Sequence, residues 1–175
     1  MVISNKEQLL PLLSSEHCEY KLYEHPPVFT VAEATQHCRH IPGAHVKNLF
    51  LRNHKKTAYW LITVKEDKRV DLRTLGDRLA TGRLSFASPA DLIAMLGIQP
   101  GSVTPLAIIN DQAKRIKLLF DADLLDEKNI SVHPMENTAT ITLQFDELLR
   151  FIENYRQEKI GFIEIPNLIQ DYMEK

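Results

Sequence analysis

The chain has 175 residues, of which 44% are hydrophobic and 25% are charged. This length and composition exclude a low-complexity chain and favour a single domain over residues 1–175 with a substantial core. The formal net charge of −2 argues against a generally basic nucleic-acid-binding surface, but not against a local basic groove.

The sequence lacks the segments that direct export or membrane insertion. Polar residues interrupt the apolar part of residues 1–13, so this stretch does not resemble a signal peptide. No run of about 18 apolar residues is present, as a membrane-spanning helix would require. The two cysteines, Cys18 and Cys38, are too few for a disulfide framework. We therefore expect a cytoplasmic protein that does not associate with membranes.

The first part of the chain predicts a helix, a strand and a second helix. Ser4 and Glu7 fit the S-x-x-E capping box at the start of the first helix. Residues 20–25 alternate between polar and apolar side chains, as a strand does. A second capping box, which begins at Thr30, opens a short helix that ends at about Cys38.

A hairpin and a compact helical segment follow. Residues 45–52 and 57–64 are rich in apolar, branched and aromatic side chains, and the turn residues between them predict an antiparallel pair of strands. Leucines at helical spacing predict a helix over residues 70–80, and residues 83–86 predict a short strand. The clearest boundary signals belong to a helix over residues 88–96, which begins at a serine cap and is followed by a glycine.

The second half of the chain predicts mainly strands. After an irregular loop, residues 106–109 and 115–120 flank a polar turn and predict a second hairpin. Residues 129–134 and 138–143 predict two more strands. An amphipathic pattern predicts a helix over residues 146–157.

The order of these elements defines the fold class. Hairpins and helices do not alternate strictly, which favours an α+β domain with a mixed, largely antiparallel sheet over a doubly wound one. No repeat or interdomain linker interrupts the pattern. The tail, residues 159–175, is unassigned, although residues 165–175 could form a last helical turn or two.

Two polar residues in the predicted strand 45–52 need an explanation. Strand neighbours point to opposite faces, so Lys47 and Asn48 enter different faces, and both faces are otherwise largely apolar. Lys47 could be an edge residue whose ammonium reaches water, and Asn48 could be an amide satisfied within the core. Alternation alone does not decide between these structural roles and a functional site.

Conventional catalytic motifs are missing from the sequence, which contains neither a G-x-S-x-G elbow nor a phosphate-binding P-loop. His37, Cys38 and His40 suggest a Cys–His nucleophile or a metal site. Buried, unreactive cysteines are more common, however, and on a helix Cys38 faces away from the two histidines. The basic turn after Arg52 could be a plain solvated turn or one wall of an anion-binding surface.

Five segments taken together are more specific than any of these motifs. Their order in the chain resembles the YbaK/prolyl-tRNA synthetase-associated domain family, and within it the free-standing PrdX or ProXp-ala branch. The resemblance covers roughly residues 20–155. The segments are 25–34 (HPPVFTVAEA), 43–56 (GAHVKNLFLRNHKK), 83–105 (RLSFASPADLIAMLGIQPGSVTP), 107–121 (AIINDQAKRIKLLFD) and 133–143 (HPMENTATITL).

The resemblance implies a fold and an activity. The fold is a mixed, partly barrel-like sheet surrounded by helices. The activity is trans-editing, in which the ester of a mischarged tRNA is hydrolysed, and this branch removes alanine from tRNA for proline. No metal or organic cofactor is implied. The implied partner is the acceptor end of mischarged tRNA, with prolyl-tRNA synthetase or an elongation factor as further candidates.

The resemblance also assigns roles to residues. Lys47 anchors the end of the acceptor strand, and Asn48 accompanies it in the site. Residues 101–105 match the G-x-x-x-P loop, whose backbone amides hold the aminoacyl carbonyl, and His133 lies beside the pocket. We therefore expect Lys47 to point into a cleft shared with residues 101–105 and His133. Asn53 departs from the pattern, because the family more often has an aspartate there.

The predicted site has two groups of residues. The catalytic group consists of Lys47, Asn48, Gly101, Ser102 and His133. The substrate-binding group consists of Val103, Thr104, Pro105, Phe29, Thr30, Arg52 and Asn137.

Two other functions remain alternatives to this prediction. One is a catalytically silent tRNA- or synthetase-binding module that kept the fold, since the chain has few conventional catalytic residues. The other is a metal-dependent hydrolase that uses His37, Cys38 and His40. The sequence also does not decide among alanine, serine, cysteine and threonine as the amino acid removed.

Overall fold

The computed structural model describes residues 2–28 and 31–168. Within these ranges the α-helices are α1 (Lys6–Ser15), α2 (Val31–Cys38), α3 (Leu72–Arg78), α4 (Pro89–Leu96) and α5 (Phe145–Arg156). Two 3-10 helices span Pro105–Asn110 and Ala122–Leu124. The strands are β1 (Tyr20–Glu24), β2 (Ala44–Asn53), β3 (Tyr59–Lys65), β4 (Leu84–Phe86), β5 (Ile116–Asp121), β6 (Asn129–Val132), β7 (Ala139–Gln144) and β8 (Gly161–Ile163).

The eight strands form one mixed sheet, which confirms the predicted α+β class. The strand order is β1-β7-β6-β2-β3-β5-β8, and β4 pairs with β2 outside this path. The antiparallel pairs are β1–β7, β6–β7, β2–β3 and β2–β4. The pairs β2–β6, β3–β5 and β5–β8 are parallel. None of the helices in the described ranges is both long and apolar enough to cross a membrane.

Helix α4 forms where its boundary residues predict. The Ser88 side chain accepts from the Asp91 amide, and the Asp91 carboxylate accepts from the Ser88 amide, which completes a capping box. Gly97 ends the helix with φ of 68°, in the left-handed region that glycine tolerates best.

The start of α1 differs from the prediction by one residue. The cap is Asn5, whose side chain accepts from the Gln8 amide, and not Ser4. Both residue types are good caps, so the sequence pattern alone does not choose between adjacent candidates. The helix continues through Pro11.

The predicted second hairpin is wrong in its first strand. Residues 106–109 lie within the buried 3-10 helix Pro105–Asn110, and β5 pairs in parallel with β3 and β8. A short run of apolar residues fits a buried strand and a buried helical turn equally well. Pro105, whose ring fixes φ at a helical value, begins the helix.

The tail contains a strand for which no element was predicted, and the helical turns predicted for residues 165–175 lie mostly outside the described residues. Gly161–Ile163 forms β8 at the sheet edge, parallel to β5. Beyond it, Ile165 is buried in a cluster on the face of β2 and β3 that α3 covers. The residues after 168 lie outside the described part of the chain.

The sheet separates two apolar clusters. The larger one contains alternate strand residues such as Phe50, Leu61 and Phe120, and packs them against α1, α4, α5 and the Pro105–Asn110 helix. The smaller one contains Leu49, Leu51, Trp60, Ile62 and Val64 from the opposite face, together with residues of α3. Strand β2 therefore presents a different environment on each of its two faces.

Candidate active site

Asn48 joins β2 to the loop that precedes the Pro105–Asn110 helix. It pairs with Thr63 across the β2–β3 hairpin. The Thr63 hydroxyl, fully buried, donates to Asn48 Oδ1 at 2.7 Å, and Asn48 Nδ2 donates to the Val103 carbonyl at 2.9 Å. Both ends of the amide are therefore engaged, and the loop is fixed against this face of the strand.

The loop of residues 101–105 is held from within as well. Gly101 has φ of 89°, which an L side chain rarely adopts. The Ser102 amide donates to the Gln99 carbonyl at 3.1 Å. The Val103 and Thr104 amides are not engaged in any hydrogen bond with the described residues. Thr104 is fully buried and Val103 is partly exposed, so of these two donors the Val103 amide is the candidate for a ligand carbonyl.

His133 lies between β6 and β7, and a hydrogen bond fixes which of its ring nitrogens carries the proton. Its Nδ1 lies 2.9 Å from the Ala139 carbonyl, so Nδ1 carries the proton and Nε2 of the neutral ring is an acceptor. Burial lowers the pKa of His133 below its ordinary value, and the nearby His25 lowers it further. The ring centroids of His25 and His133 lie 6.1 Å apart. His133 is therefore a neutral group near pH 7.

Asn48 and His133 line one cavity, which we call the β2–β6 cavity. It forms where β2 and β6 separate, since the two strands pair only at Ala44 and His45. Its wall combines small apolar side chains with polar groups. The lining residues are Val28, Cys38, His45, Val46, Asn48, Glu66, Ser131, Val132, His133 and Thr140.

Lys47 does not share the face of Asn48. It pairs with Val64, which belongs to the cluster on the α3 side of the sheet. The charged groups that act on it are those of Asp67, Glu66 and Arg69, although burial dominates and lowers the pKa of its ammonium. Within the described residues it has no hydrogen bond or ion pair.

This position differs from the expected cleft shared by Lys47, residues 101–105 and His133. Asn48 makes the loop contact, and a regular strand directs its neighbour to the other face. Glu66 lines the β2–β6 cavity and also acts on Lys47. Lys47 therefore lies beside the cavity.

The predicted substrate-binding residues are distributed along the fold. Arg52 pairs with Asp91 at 2.6 Å, at the end of β2 away from the cavity. Asn137 and Val28 exchange two hydrogen bonds of 3.3 Å, which hold the chain just before residue 29. Phe29 and Thr30, with the predicted second helix cap, lie outside the described residues.

Two residues of the site were missed by the sequence predictions. Thr63 completes the bridge to the loop, and His25 donates to or accepts from Thr140 Oγ1 at 2.9 Å beside His133. Thr63 had a detectable signal, because the hairpin register places this polar residue opposite Asn48 in an apolar strand. His25 had no local signal, since its contacts with Thr140 and His133 come from residues more than 100 positions away.

The described geometry does not favour a cysteine nucleophile or a metal site. Cys18 and Cys38 are both buried, and burial raises the pKa of each thiol, which keeps the sulfur in its less nucleophilic protonated form. Within the described residues, no three His, Cys, Asp or Glu side chains are grouped so that they could hold a metal ion.

Comparison with known proteins identifies the family. The aminoacyl-tRNA editing domain matches residues 25–151. Prolyl-tRNA synthetase associated domain-containing protein 1 of Bos taurus is 38% identical over 144 residues, which cover 80% of this chain and 84% of that protein. The prolyl-tRNA editing protein ProX of Acetoanaerobium sticklandii is 32% identical over 153 residues, which cover 87% of this chain and 93% of that protein.

A solved structure agrees with the fold. A candidate trans-editing enzyme for prolyl-tRNA synthetase superposes with a TM-score of 0.68 over 93% of this chain and 96% of its own, at 22% identity. The chain belongs to the aminoacyl-tRNA editing domain family, as the resemblance implied. It is an aminoacyl-tRNA hydrolase, and its substrate is mischarged tRNA.

Proposed function

We propose that the chain is a trans-editing deacylase for mischarged tRNA of proline and that the ester it removes is alanyl. The proposal rests mainly on one arrangement: Asn48 lines the β2–β6 cavity and also holds the Val103 carbonyl of the loop. An aminoacyl group in the cavity would therefore lie next to the amides of that loop. The printed names of the Bos taurus and Acetoanaerobium sticklandii relatives refer to prolyl-tRNA synthetase and prolyl-tRNA editing, which supports proline as the tRNA identity.

The proposed chemistry needs no strong nucleophile. An aminoacyl ester is already activated, so orienting a water molecule and stabilising the developing oxyanion are sufficient. The free amide of Val103 donates to the carbonyl oxygen, and this donor does not titrate. The neighbouring ribose hydroxyl of the substrate assists in activating the water.

His133 serves this reaction as a neutral acceptor. With Nδ1 bound to Ala139, its Nε2 accepts a hydrogen bond from the substrate amino group or from the attacking water. Lys47, beside the cavity, interacts with the terminal phosphates of the acceptor strand. Its lowered pKa results from partial burial.

Selection of the amino acid is steric in this proposal. Val28, Val46 and Val132 narrow the cavity, so a methyl side chain fits and the larger ring of proline is excluded by clash. A synthetase pocket sized for proline cannot exclude alanine in this way, because a smaller side chain is rejected by only about 1–3 kcal/mol per missing methylene.

The test is deacylation of purified tRNA for proline charged with alanine, serine, cysteine, threonine or proline. We expect hydrolysis of the alanyl ester, in the presence of a chelator as well, and little loss of prolyl-tRNA. Reactions with and without prolyl-tRNA synthetase show whether this partner affects turnover. If all the mischarged esters stay intact while the chain binds tRNA tightly, the chain is the silent binding module instead.

A further inference from the structure

The positive charge of the chain is concentrated in one contiguous unit. Residues 52–86 contain nine Lys and Arg against four Asp and Glu, a net charge of +5 in a chain whose total is −2. This unit comprises the end of β2 together with β3, α3 and β4. The rest of the molecule is correspondingly acidic, so an anionic partner would be oriented toward this side.

Six cations of this unit are exposed and form no ion pair with any described residue, and four of them belong to the β2–β3 turn or line one surface cleft. The β2–β3 turn is joined to the α3–β4 connection, because the His54 amide donates to the Arg83 carbonyl at 3.2 Å. The four side chains extend into solvent and form no ion pair with any described residue. We call them the cation cluster: Lys55, Lys56, Arg73 and Arg83.

The cation cluster borders a surface cleft. Arg73 and Arg83 line it together with Leu72 and Leu84, and Asp77 is the single acidic lining residue. A Cβ placed on Gly82 would meet nothing within 4 Å, which leaves the backbone there open to close approach. Phe86, on the adjacent β4, is 59% exposed.

The distance from the cation cluster to the β2–β6 cavity matches the reach of the unpaired acceptor end of a tRNA. Strand β2 runs from Asn48, at the β2–β6 cavity, to the turn that carries Lys55. Seven residues of extended chain span roughly 20 Å. A tRNA whose unpaired acceptor end enters the cavity would bring the phosphates of its acceptor stem to about this distance.

We propose that the cation cluster is the docking surface for the acceptor stem of the tRNA. Lys55, Lys56, Arg73 and Arg83 contact backbone phosphates, and Phe86 supplies a face on which a base can stack. The assignment rests on the proposed function, because the tRNA substrate is what brings phosphates to this span. Such contacts supply affinity and orientation but no chemistry at the ester.

The test compares two triple variants that remove equal charge. The test variant is Lys55→Gln, Lys56→Gln and Arg83→Gln. The control variant is Lys21→Gln, Lys114→Gln and Lys128→Gln, three exposed lysines on other elements. Each is assayed on full-length alanyl-tRNA for proline and on the alanyl ester of a CCA trinucleotide, which has no acceptor stem.

We expect the test variant to raise KM for the full-length substrate by about tenfold or more with kcat unchanged. The log–log salt dependence should become shallower by about two to three, because each lost phosphate contact removes about one. Turnover of the trinucleotide ester should not change, and the control variant should behave as wild type. Equal losses on both substrates, or no loss on full-length tRNA, would overturn the proposal.

If the proposed deacylase function is wrong, the assays give results that differ from those expected if only the docking surface is wrong. If wild type hydrolyses neither ester, binding of uncharged tRNA by the two variants still tests the surface, and only the test variant should bind more weakly. If the test variant binds tRNA normally but loses binding to an acidic peptide or to anionic vesicles, the cluster serves another partner and the proposal is wrong.

Discussion

Asn48 is a partly buried amide whose two ends have different roles. Its oxygen accepts from Thr63 and its nitrogen donates to Val103. The first bond orients the amide, and the second holds the Val103 carbonyl; in the proposed function it thereby positions the free Val103 amide as a donor. Displacing such donors by about 1 Å can cost on the order of 100-fold in rate.

A substitution of Asn48 can remove its hydrogen bond to Val103 and keep the one from Thr63. Asn48→Asp can still accept from Thr63, but it cannot donate to the Val103 carbonyl, and its charge faces that oxygen. We expect kcat for deacylation to fall by roughly 10- to 100-fold with KM little changed. Lys47→Ala, on the other face, should instead raise KM, because its proposed contact is with phosphate. Steady-state kinetics on alanyl-tRNA checks both, and indistinguishable kinetic effects would contradict the division of roles.

His133 links the site to the pH dependence of stability. Burial lowers its pKa in the folded state below the unfolded value of about 6.5. The unfolded chain therefore binds a proton more readily, so the stabilising contribution is complete above the unfolded pKa and is lost as pH falls toward the folded one. We expect wild type to lose more unfolding free energy than His133→Gln below about pH 6.5. Urea denaturation of both proteins across this pH range measures the difference in unfolding free energy. Parallel pH profiles would contradict the buried, neutral state assigned to His133.

At the scale of elements, the loop between β3 and α3 is fixed by one buried cation. Lys68 is 4% exposed, and its Nζ lies 2.5 Å from Asp121, 2.6 Å from Asp123 and 2.7 Å from the Ile165 carbonyl. The contact with Asp121 joins the loop to the end of β5, and the contact with Ile165 joins it to the segment after β8. The same loop carries Asp67 and Glu66, whose charges act on Lys47.

Removing this cation should destabilise the protein far more than removing its neighbour. Lys68→Met leaves the fully buried Asp121 without its ion-pair partner, which costs on the order of 3–5 kcal/mol. Lys65→Met is the matched control, because its partner Glu127 is partly exposed and such surface pairs contribute about 0–1 kcal/mol. Chemical denaturation gives both values. Similar losses in the two variants would show that the buried pair does not stabilise the loop.

At the scale of the whole molecule, the fold extends beyond the family match. The editing domain ends at residue 151, yet β8 and Ile165 complete the sheet edge and the smaller apolar cluster. The described residues from the start of β8 onward, 161–168, are therefore an integral part of this domain, and Ile165 packs on the side where Lys47 lies.

Deletion of residues 160–175 tests this layer. It removes β8, the buried Ile165 side chain and the carbonyl that accepts from Lys68. We expect a loss larger than that of Ile165→Ala, which alone should cost about 2–4 kcal/mol. Urea midpoints of the three proteins provide the comparison. An unchanged midpoint in the deletion variant would mean that the segment only rests on the surface.

Much of the site was predictable because its signals are local or belong to an ordered set of motifs. The hairpin register, the Ser88 cap and the loop around Gly101 each depend on residues within a few positions of one another. The surroundings of His133 were harder to predict. Its hydrogen-bond partner Ala139 is near in sequence, but His25 is brought to it only by the β1–β7 pairing. The bridge between Asn48 and Val103 spans 55 positions and depends on how α4 packs.

The sequence alone therefore determined the mixed α+β class, the boundaries of α4 and the opposite directions of Lys47 and Asn48, since caps, turns and strand alternation are set by neighbouring residues. Only the tertiary structure decided the helical path of residues 106–109, the strand formed by Gly161–Ile163 and the face of β2 that meets the loop. Those choices depend on which apolar surface each segment buries and on pairings with distant strands, and local propensity is too weak to settle them.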